Sequence, residues 1–135
     1  MKYLLVIVGP ESGMEDISPE EMKASLDRWG AMDRELIEAG VYIAGEGLHP
    51  SATASTVRIG ADGERVITDG PFAETKEQVG GFYLIETENL DEALEWAKKI
   101  PAAPGAAVEV RSAMDFSEFG YESATPSPRA VESSR

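Results

Sequence analysis

One histidine and several carboxylates are the residues of this sequence best suited to proton transfer. His49 is the only histidine, and it lies in a loop rich in glycine and bounded by Pro50. Such loops frequently carry site residues, and an imidazole beside a carboxylate forms an acid–base pair near neutral pH. Asp69 and Glu46 are the candidate partners. We predict His49 and Asp69 as catalytic residues, with an ordinary loop histidine as the alternative.

Two arginines on predicted strands are candidates for binding an acidic ligand. Arg58 and Arg111 lie where side chains alternate between the two sides of a sheet, so either can point into a cavity. An arginine binds a carboxylate through two parallel hydrogen bonds. The alternative is a cross-strand ion pair with an acid such as Glu64 or Glu109. The arginines therefore predict a small carboxylated metabolite as the ligand.

The charge and the composition exclude several classes of function. The chain has 25 acidic and 12 basic residues and a formal net charge of −13, whereas nucleic-acid binding needs clustered cations. One histidine and no cysteine do not match the usual transition-metal ligand sets. We predict no metal, no cofactor and no direct contact with nucleic acid.

The N-terminus and the hydropathy pattern predict a cytoplasmic protein. The apolar run at residues 3–8 ends at Gly9 and Pro10, which is too early for a signal peptide. No stretch approaches the roughly 20 apolar residues that a membrane span needs. We expect no membrane contact.

The periodicity of apolar residues predicts an α+β domain over residues 1–121. The predicted elements are a strand at 3–8, a helix at 19–39, a strand from 41–44, a hairpin of 55–59 with 65–68, one helical turn at 75–78, a strand at 82–87, a helix from the Asn89 cap to Pro101 and a strand at 108–111. Phe116, Phe119 and Tyr121 are expected to dock the segment that follows the last strand. The Ser-, Ala- and Pro-rich residues 122–135 predict a disordered tail.

The order of these elements predicts a ferredoxin-like sheet with an inserted β-hairpin. Two βαβ units side by side place both helices on one face of the sheet. The strands at 3–8 and 82–85 are apolar on both sides, so the helix-free face would expose a large apolar patch that monomers rarely tolerate. We predict a two-fold homodimer whose sheets pack face to face.

Residues 69–83, with the sequence DGPFAETKEQVGGFY, resemble the signature of the YCII-related family in its DGPF-motif branch. The resemblance extends over about residues 1–112 and implies a dimeric α/β-barrel of ferredoxin-like protomers. The family has few assigned activities, and some relatives are encoded beside sigma factors of the extracytoplasmic-function type. Relatives that resemble a His–Asp enzyme carry a histidine on the first helix, where this chain has Trp29 instead.

The DGPF segment also has a physical interpretation. Pro71 restricts Gly70 to an extended conformation and donates no backbone hydrogen bond, so the pair ends the hairpin strand. Phe72 is expected to anchor the turn, and the resemblance makes Glu74 and Lys76 candidate ligand-binding residues. A purely structural corner is the alternative.

Two functions remain open at this point. The first is a small-ligand-binding or regulatory homodimer, with a link to sigma-factor systems implied by the resemblance. The second is a small-molecule enzyme, an isomerase, lyase or hydrolase, that uses His49 and Asp69 as its acid–base pair.

Overall fold

The computed structural model describes residues 1–11 and 16–122, which form a mixed α+β fold. Its elements are β1 (Lys2–Gly9), α1 (Pro19–Glu38), β2 (Tyr42–Gly47), a 3₁₀ turn (Ser51–Thr53), β3 (Ser55–Ile59), β4 (Arg65–Asp69), β5 (Gln78–Glu86), α2 (Leu90–Lys98), β6 (Ala107–Ser112) and a second 3₁₀ turn (Phe116–Phe119). The predicted α+β class is confirmed. The predicted tail at 122–135 falls almost entirely outside the described residues.

The strands form two antiparallel sheets. Four strands pair in the order β2-β5-β1-β6, and β3 pairs only with β4 in a separate two-stranded hairpin. In the described part of the chain neither sheet closes into a barrel. No helix within it is long and apolar enough to cross a membrane.

The hydrophobic core lies between the four-stranded sheet and the two helices. Tyr3 and Leu5 alternate along β1 and point to the same side as Ile85 of β5. From the other layer, Leu36 of α1 and Ala93 of α2 complete the buried cluster. Both helices therefore cover one face of the sheet, as the sequence predicts.

The opposite face of the sheet is apolar at its centre and is not covered by either helix. The side chains of the two central strands on this face are apolar and half-buried: Leu4, Val6, Val8, Phe82 and Leu84. On the two edge strands, Glu46, Glu109 and Arg111 lie on the same face. Part of their shielding comes from neighbouring side chains in the same sheet. This apolar sheet face is the surface from which the homodimer is predicted; the single chain does not test that prediction.

Two one-residue irregularities set the direction of side chains near the sheet edge. Gly80 of β5 has no partner on β1, and the pairing resumes one residue later. Ile43 of β2 is likewise skipped between the pairs formed by Tyr42 and Ala44. Such β-bulges change which face of the sheet the following residues occupy. Because of the second bulge, Tyr42 and Gly45 lie on the same helix-covered side.

The first helix begins where its sequence signals predict. The Ser18 side chain accepts a hydrogen bond from the Glu21 backbone N–H at 3.1 Å, and the Glu21 carboxylate accepts one from the Ser18 N–H at 3.4 Å. This reciprocal arrangement satisfies two backbone donors that a helix start leaves free. Pro19 occupies the first turn, where its missing N–H costs nothing.

Three local predictions are wrong. Residues 75–78 form no helical turn. Gln78 already belongs to β5, and this strand includes Gly80 and Gly81, the glycines expected to end the turn. Gly70 adopts a φ of +98° rather than the extended conformation expected before proline, since glycine lacks the side chain that restricts other residues. Phe116, Phe119 and Tyr121 are exposed instead of docking on the body, and the rings of Phe116 and Tyr121 meet edge to face with centroids 6.3 Å apart.

Candidate functional site

A shallow depression of about 400 Å³ lies where the loop after β2 meets the base of the hairpin. Its lining combines an apolar wall with hydroxyl, amide and imidazole groups: Leu48, His49, Pro50, Ser51, Thr53, Ala54, Thr56, Pro71, Phe72, Gln78 and Val79. Sites for small molecules commonly pair apolar walls with a few polar groups. This corner depression contains two of the residues predicted from the sequence, His49 and Phe72.

The structure does not bring His49 and Asp69 together. Thr56 lines the corner depression, and Asp69 pairs with Ser55, the residue before it. Since successive residues of a strand point to opposite faces, Asp69 lies on the face of the hairpin directed away from the depression. Within residues 1–11 and 16–122 no hydrogen bond or ion pair joins His49 to Asp69. A catalytic role for His49 and Asp69 stays a prediction.

The backbone of the DGPF corner is held by side chains from the hairpin. The Thr56 hydroxyl donates to the Gly70 carbonyl at 2.7 Å, and the Arg58 guanidinium donates to the Phe72 carbonyl at 2.6 Å. Because directly paired residues share a face, Thr56 and Arg58 lie on one side of the hairpin with Thr68. Arg58 is exposed, and it has further N–H donors beside the depression.

Gln78 holds the other half of the same corner. Its side-chain amide lies 3.2 Å from the carbonyl oxygens of Ala73 and Thr75 and 3.1 Å from the Thr75 hydroxyl. The amide therefore bridges the loop to the start of β5. These contacts indicate that much of the DGPF signature forms a folded corner, which is the structural alternative weighed above.

The remaining predicted ligand residues lie apart from the corner depression. Arg111 pairs with Leu4 near the far end of β1, and its guanidinium contacts the Glu109 carboxylate at 2.6 Å. Both residues belong to β6, so this is an ion pair within one strand and not the cross-strand pair expected as the alternative. Glu74 and Lys76 are exposed and do not line the depression. A ligand role for these three residues stays a prediction.

Phe72 does not anchor the turn in the way expected. Its side chain is 74% exposed, although its carbonyl is held by Arg58. An aromatic ring left in water at the edge of a depression is available to contact a ligand or another protein surface. The anchoring is therefore done through the backbone, whereas the ring remains free.

Two further contacts at the site were not foreseen from the sequence. The Glu11 carboxylate accepts hydrogen bonds from both the backbone N–H and the hydroxyl of Ser51, each at 2.8 Å. This pair joins the end of β1 to the 3₁₀ turn that forms one wall of the depression. The residues lie 40 positions apart, so no local pattern indicates the contact.

The most strongly perturbed ionisable group lies inside the core. The Tyr83 hydroxyl donates a hydrogen bond to the Asp33 carboxylate of α1, and its ring stacks on Trp29 with centroids 6.3 Å apart. Burial, reinforced by the hydrogen bond and the charge of Asp33, raises the pKa of Tyr83 far above its usual value. The pKa of Tyr42, which contacts the same ring, is raised mainly by burial as well.

Gly45 makes this aromatic cluster possible. A Cβ atom at that position would lie 2.6 Å from Cδ1 of Tyr83, far inside normal contact. Glycine thus provides the space into which the Tyr83 ring fits. The prediction that Trp29, Tyr42 and Tyr83 belong to the core rather than to a ligand site agrees with their packing.

A larger groove of about 650 Å³ lies between α2 and β6. Its floor is formed by Leu94, Ala97, Val108 and Val110, and its rim carries three acids. The one cation there, Lys98, is already paired with Glu95 at 2.9 Å. Although larger, this groove offers less recognition chemistry than the corner depression.

Comparison with known proteins places the chain in a family. The YCII-related domain matches residues 1–117, so the chain belongs to the YCII-related family. An uncharacterized protein of Rhizobium meliloti (strain 1021) is 41% identical over 103 residues, which cover 76% of this chain and 82% of that protein. The chain is therefore similar to a relative whose activity is not assigned.

Proposed function

We propose that this YCII-related protein belongs to the DGPF branch and is a homodimer that binds a small carboxylated ligand in the corner depression. One observation supports this ligand site: the imidazole of His49 and the exposed ring of Phe72 line the same depression, and the Arg58 guanidinium lies beside it.

The topology supports a ferredoxin-like protomer. The order β2-β5-β1-β6, with antiparallel neighbours and both helices on one face, matches the split βαβ arrangement. The β3–β4 hairpin lies between β2 and β5 in the sequence and forms a separate sheet. This arrangement supports a hairpin inserted into the ferredoxin-like fold, not two additional strands of the main sheet. The apolar sheet face in turn supports a face-to-face homodimer.

The polar groups in and beside the depression favour an anionic ligand. Arg58 is held in place by the Phe72 carbonyl and keeps other donors for a carboxylate. His49 is exposed and able to donate a further hydrogen bond. Leu48 and Phe72 supply apolar contact for the rest of a small metabolite.

Binding is better supported than catalysis. An acid–base enzyme would need Asp69 within reach of His49, and the two belong to opposite sides of the hairpin wall. A regulatory role linked to sigma factors rests on the family resemblance alone.

The test is a thermal-shift screen with small carboxylic acids, each matched with the alcohol of the same carbon skeleton. A ligand present at 100 times its dissociation constant stabilises the folded state by about 2.7 kcal/mol. We expect saturable stabilisation by one or more acids but not by the matched alcohols. The stabilisation should be lost in Arg58→Ala and reduced in His49→Ala.

Arg34→Ala is the control. Arg34 is an exposed arginine of α1 and lies outside the corner depression, the hairpin and the apolar sheet face. Its variant should respond to ligand like the wild type. No stabilisation by any acid, or an undiminished response in both Arg58→Ala and His49→Ala, would contradict this ligand site.

A further inference from the structure

The β3–β4 hairpin extends from the body of the protein with little cover. Of the ten residues in its two strands, all are exposed except Thr56, which is half-buried. A two-stranded hairpin on its own is marginally stable in water. The hairpin therefore gains little stability from burial within the described part of the single chain.

The two faces of the hairpin differ in character. One face carries Val57, Ile59 and Ile67, which are 56%, 64% and 74% exposed. The other face carries Thr56 and Arg58, which bind the corner carbonyls. One face is thus used within the chain, whereas the apolar face stays mostly exposed in the part of the chain that the structure describes.

We propose that the hairpin is a dimerisation arm, whose apolar face packs against a second copy of this chain. The inference rests on the homodimer proposed above and assigns to it a second contact surface. The arm lies between β2 and β5 in the chain and is joined to them by residues 48–54 and 70–77. The apolar sheet face and the arm can therefore form one continuous interface.

The size of the sheet face supports a second copy as the occupant. Four strands about 4.8 Å apart, each about six residues long with a rise of about 3.3 Å, span roughly 400 Å². A stable interface buries about 800 Å² on each partner. The sheet face alone falls short, and an exchange of arms about a two-fold axis adds contact area twice.

Charge also favours the arm as a contact between copies. Each chain carries a formal net charge of −13, so two copies repel each other over most of their surfaces. The apolar face of the arm has one cation and one anion, Arg65 and Asp69, and is locally neutral. It is a surface on which like-charged copies can meet.

The arm connects dimerisation to the proposed ligand site. Thr56 and Arg58, on its other face, hold the corner that carries Phe72. An arm fixed by the second copy would keep this wall of the depression in place. We therefore expect ligand binding to be stronger in the dimer than in the monomer.

The experiment compares a double variant, Ile59→Lys with Ile67→Lys, with the control Val66→Lys. Val66 is also exposed in β4 but lies on the opposite face of the arm. Sedimentation equilibrium over a range of concentrations measures the dimer dissociation constant, and circular dichroism checks the fold. We expect the double variant to raise that constant at least 100-fold and Val66→Lys to change it less than fivefold.

The outcomes separate the arm from the dimer itself. A wild-type protein that is monomeric at micromolar concentration would refute the proposed homodimer and the arm together. A dimer that is equally tight in wild type and double variant would refute the arm and leave the sheet-face dimer standing. If the double variant does not fold, amide hydrogen exchange of the wild type decides. Protection of the hairpin amides that is lost on dilution supports the arm, and the absence of such protection contradicts it.

Discussion

The core beneath the helices and the β3–β4 hairpin use the same kinds of apolar residue with opposite results. Leu5, Leu36 and Ile85 are fully buried between the sheet and the helices. Val57 and Ile67 of the hairpin, no less apolar, are mostly exposed. The two helices form a second layer that covers the core residues, whereas the described part of the chain forms no such layer over this face of the hairpin.

The two regions are stable for different reasons. The core gains its free energy from burial within one chain, whatever the protein concentration. Order in the hairpin depends, in our proposal, on another copy, and it should follow mass action. The same substitution placed in each region can therefore distinguish them.

The largest expected effect comes from Ile85→Ala compared with Ile67→Ala. Removing a fully buried isoleucine side chain leaves a cavity and lowers the free energy of unfolding by about 2–5 kcal/mol. At low protein concentration Ile67→Ala should change it by less than about 0.5 kcal/mol, as exposed substitutions do. Urea denaturation over a range of protein concentrations measures both.

At high concentration the behaviour of the two variants should diverge further. The cost of Ile67→Ala should increase with protein concentration, whereas that of Ile85→Ala should persist at every concentration. Equal and concentration-independent losses in the two variants would remove the distinction between the regions.

The second prediction concerns two glycines of the same strand, Gly45 and Gly47. A Cβ at Gly45 would collide with the buried Tyr83 ring, whereas a Cβ at Gly47 meets nothing within 4 Å. Overpacking of a core costs about 1–3 kcal/mol, so Gly45→Ala should destabilise the protein by that amount. Gly47→Ala should be neutral or slightly stabilising, since alanine lowers the conformational entropy of the unfolded chain. Thermal unfolding of the pair tests this, and an equal effect would contradict the packing of Tyr83 against Gly45.

The smallest expected effect is that of Tyr83→Phe, and it depends on pH. Near neutral pH the variant loses one hydrogen bond, which costs about 1 kcal/mol. Because the pKa of Tyr83 is raised in the folded state, its stabilising contribution is complete below the unfolded pKa of about 10 and is lost as the pH rises further. The stability difference between wild type and variant should therefore shrink above about pH 10.

Tyr121→Phe provides the control for this measurement, since Tyr121 is exposed. Urea denaturation at a series of pH values gives the stability of each protein. A wild-type advantage that stays constant or grows at alkaline pH would argue against a buried, protonated Tyr83.

Most of the fold could be predicted because its signals are local. The capping box at Ser18 and Glu21, the turn that joins β3 to β4 and the alternation in β6 each specify an element within a few residues. The corner at residues 70–78 could not be predicted in the same way. Its shape depends on Thr56 and Arg58, which reach the loop from β3, and on the Gln78 amide, which binds back to the loop from the start of β5.

The candidate site was only partly accessible for a similar reason. Position in a glycine-rich loop was enough to single out His49, which does line the depression. The face of the hairpin on which Asp69 lies depends on the pairing register of β3 and β4, which places it opposite Ser55 and not opposite Thr56. The residue type of Asp69 carries no information about that register. The contact of Tyr83 with Asp33 spans 50 positions of the chain and has no sequence signal of its own.

The unpaired Gly80 has a consequence for how this protein tolerates deletions. Because Gly80 is an extra residue in β5, Val79 and Gln78 lie on the opposite sides of the sheet from those they would occupy if Gly80 were paired in a regular strand. Removing Gly80 would delete the residue that has no partner, so Val79 and Gln78 could keep their partners Val8 and Gly9 and their sides of the sheet. The Gln78 amide would still face the loop that it binds. An extra residue inserted beside Gly80 would instead move both side chains to the opposite sides and separate the corner from the Gln78 amide.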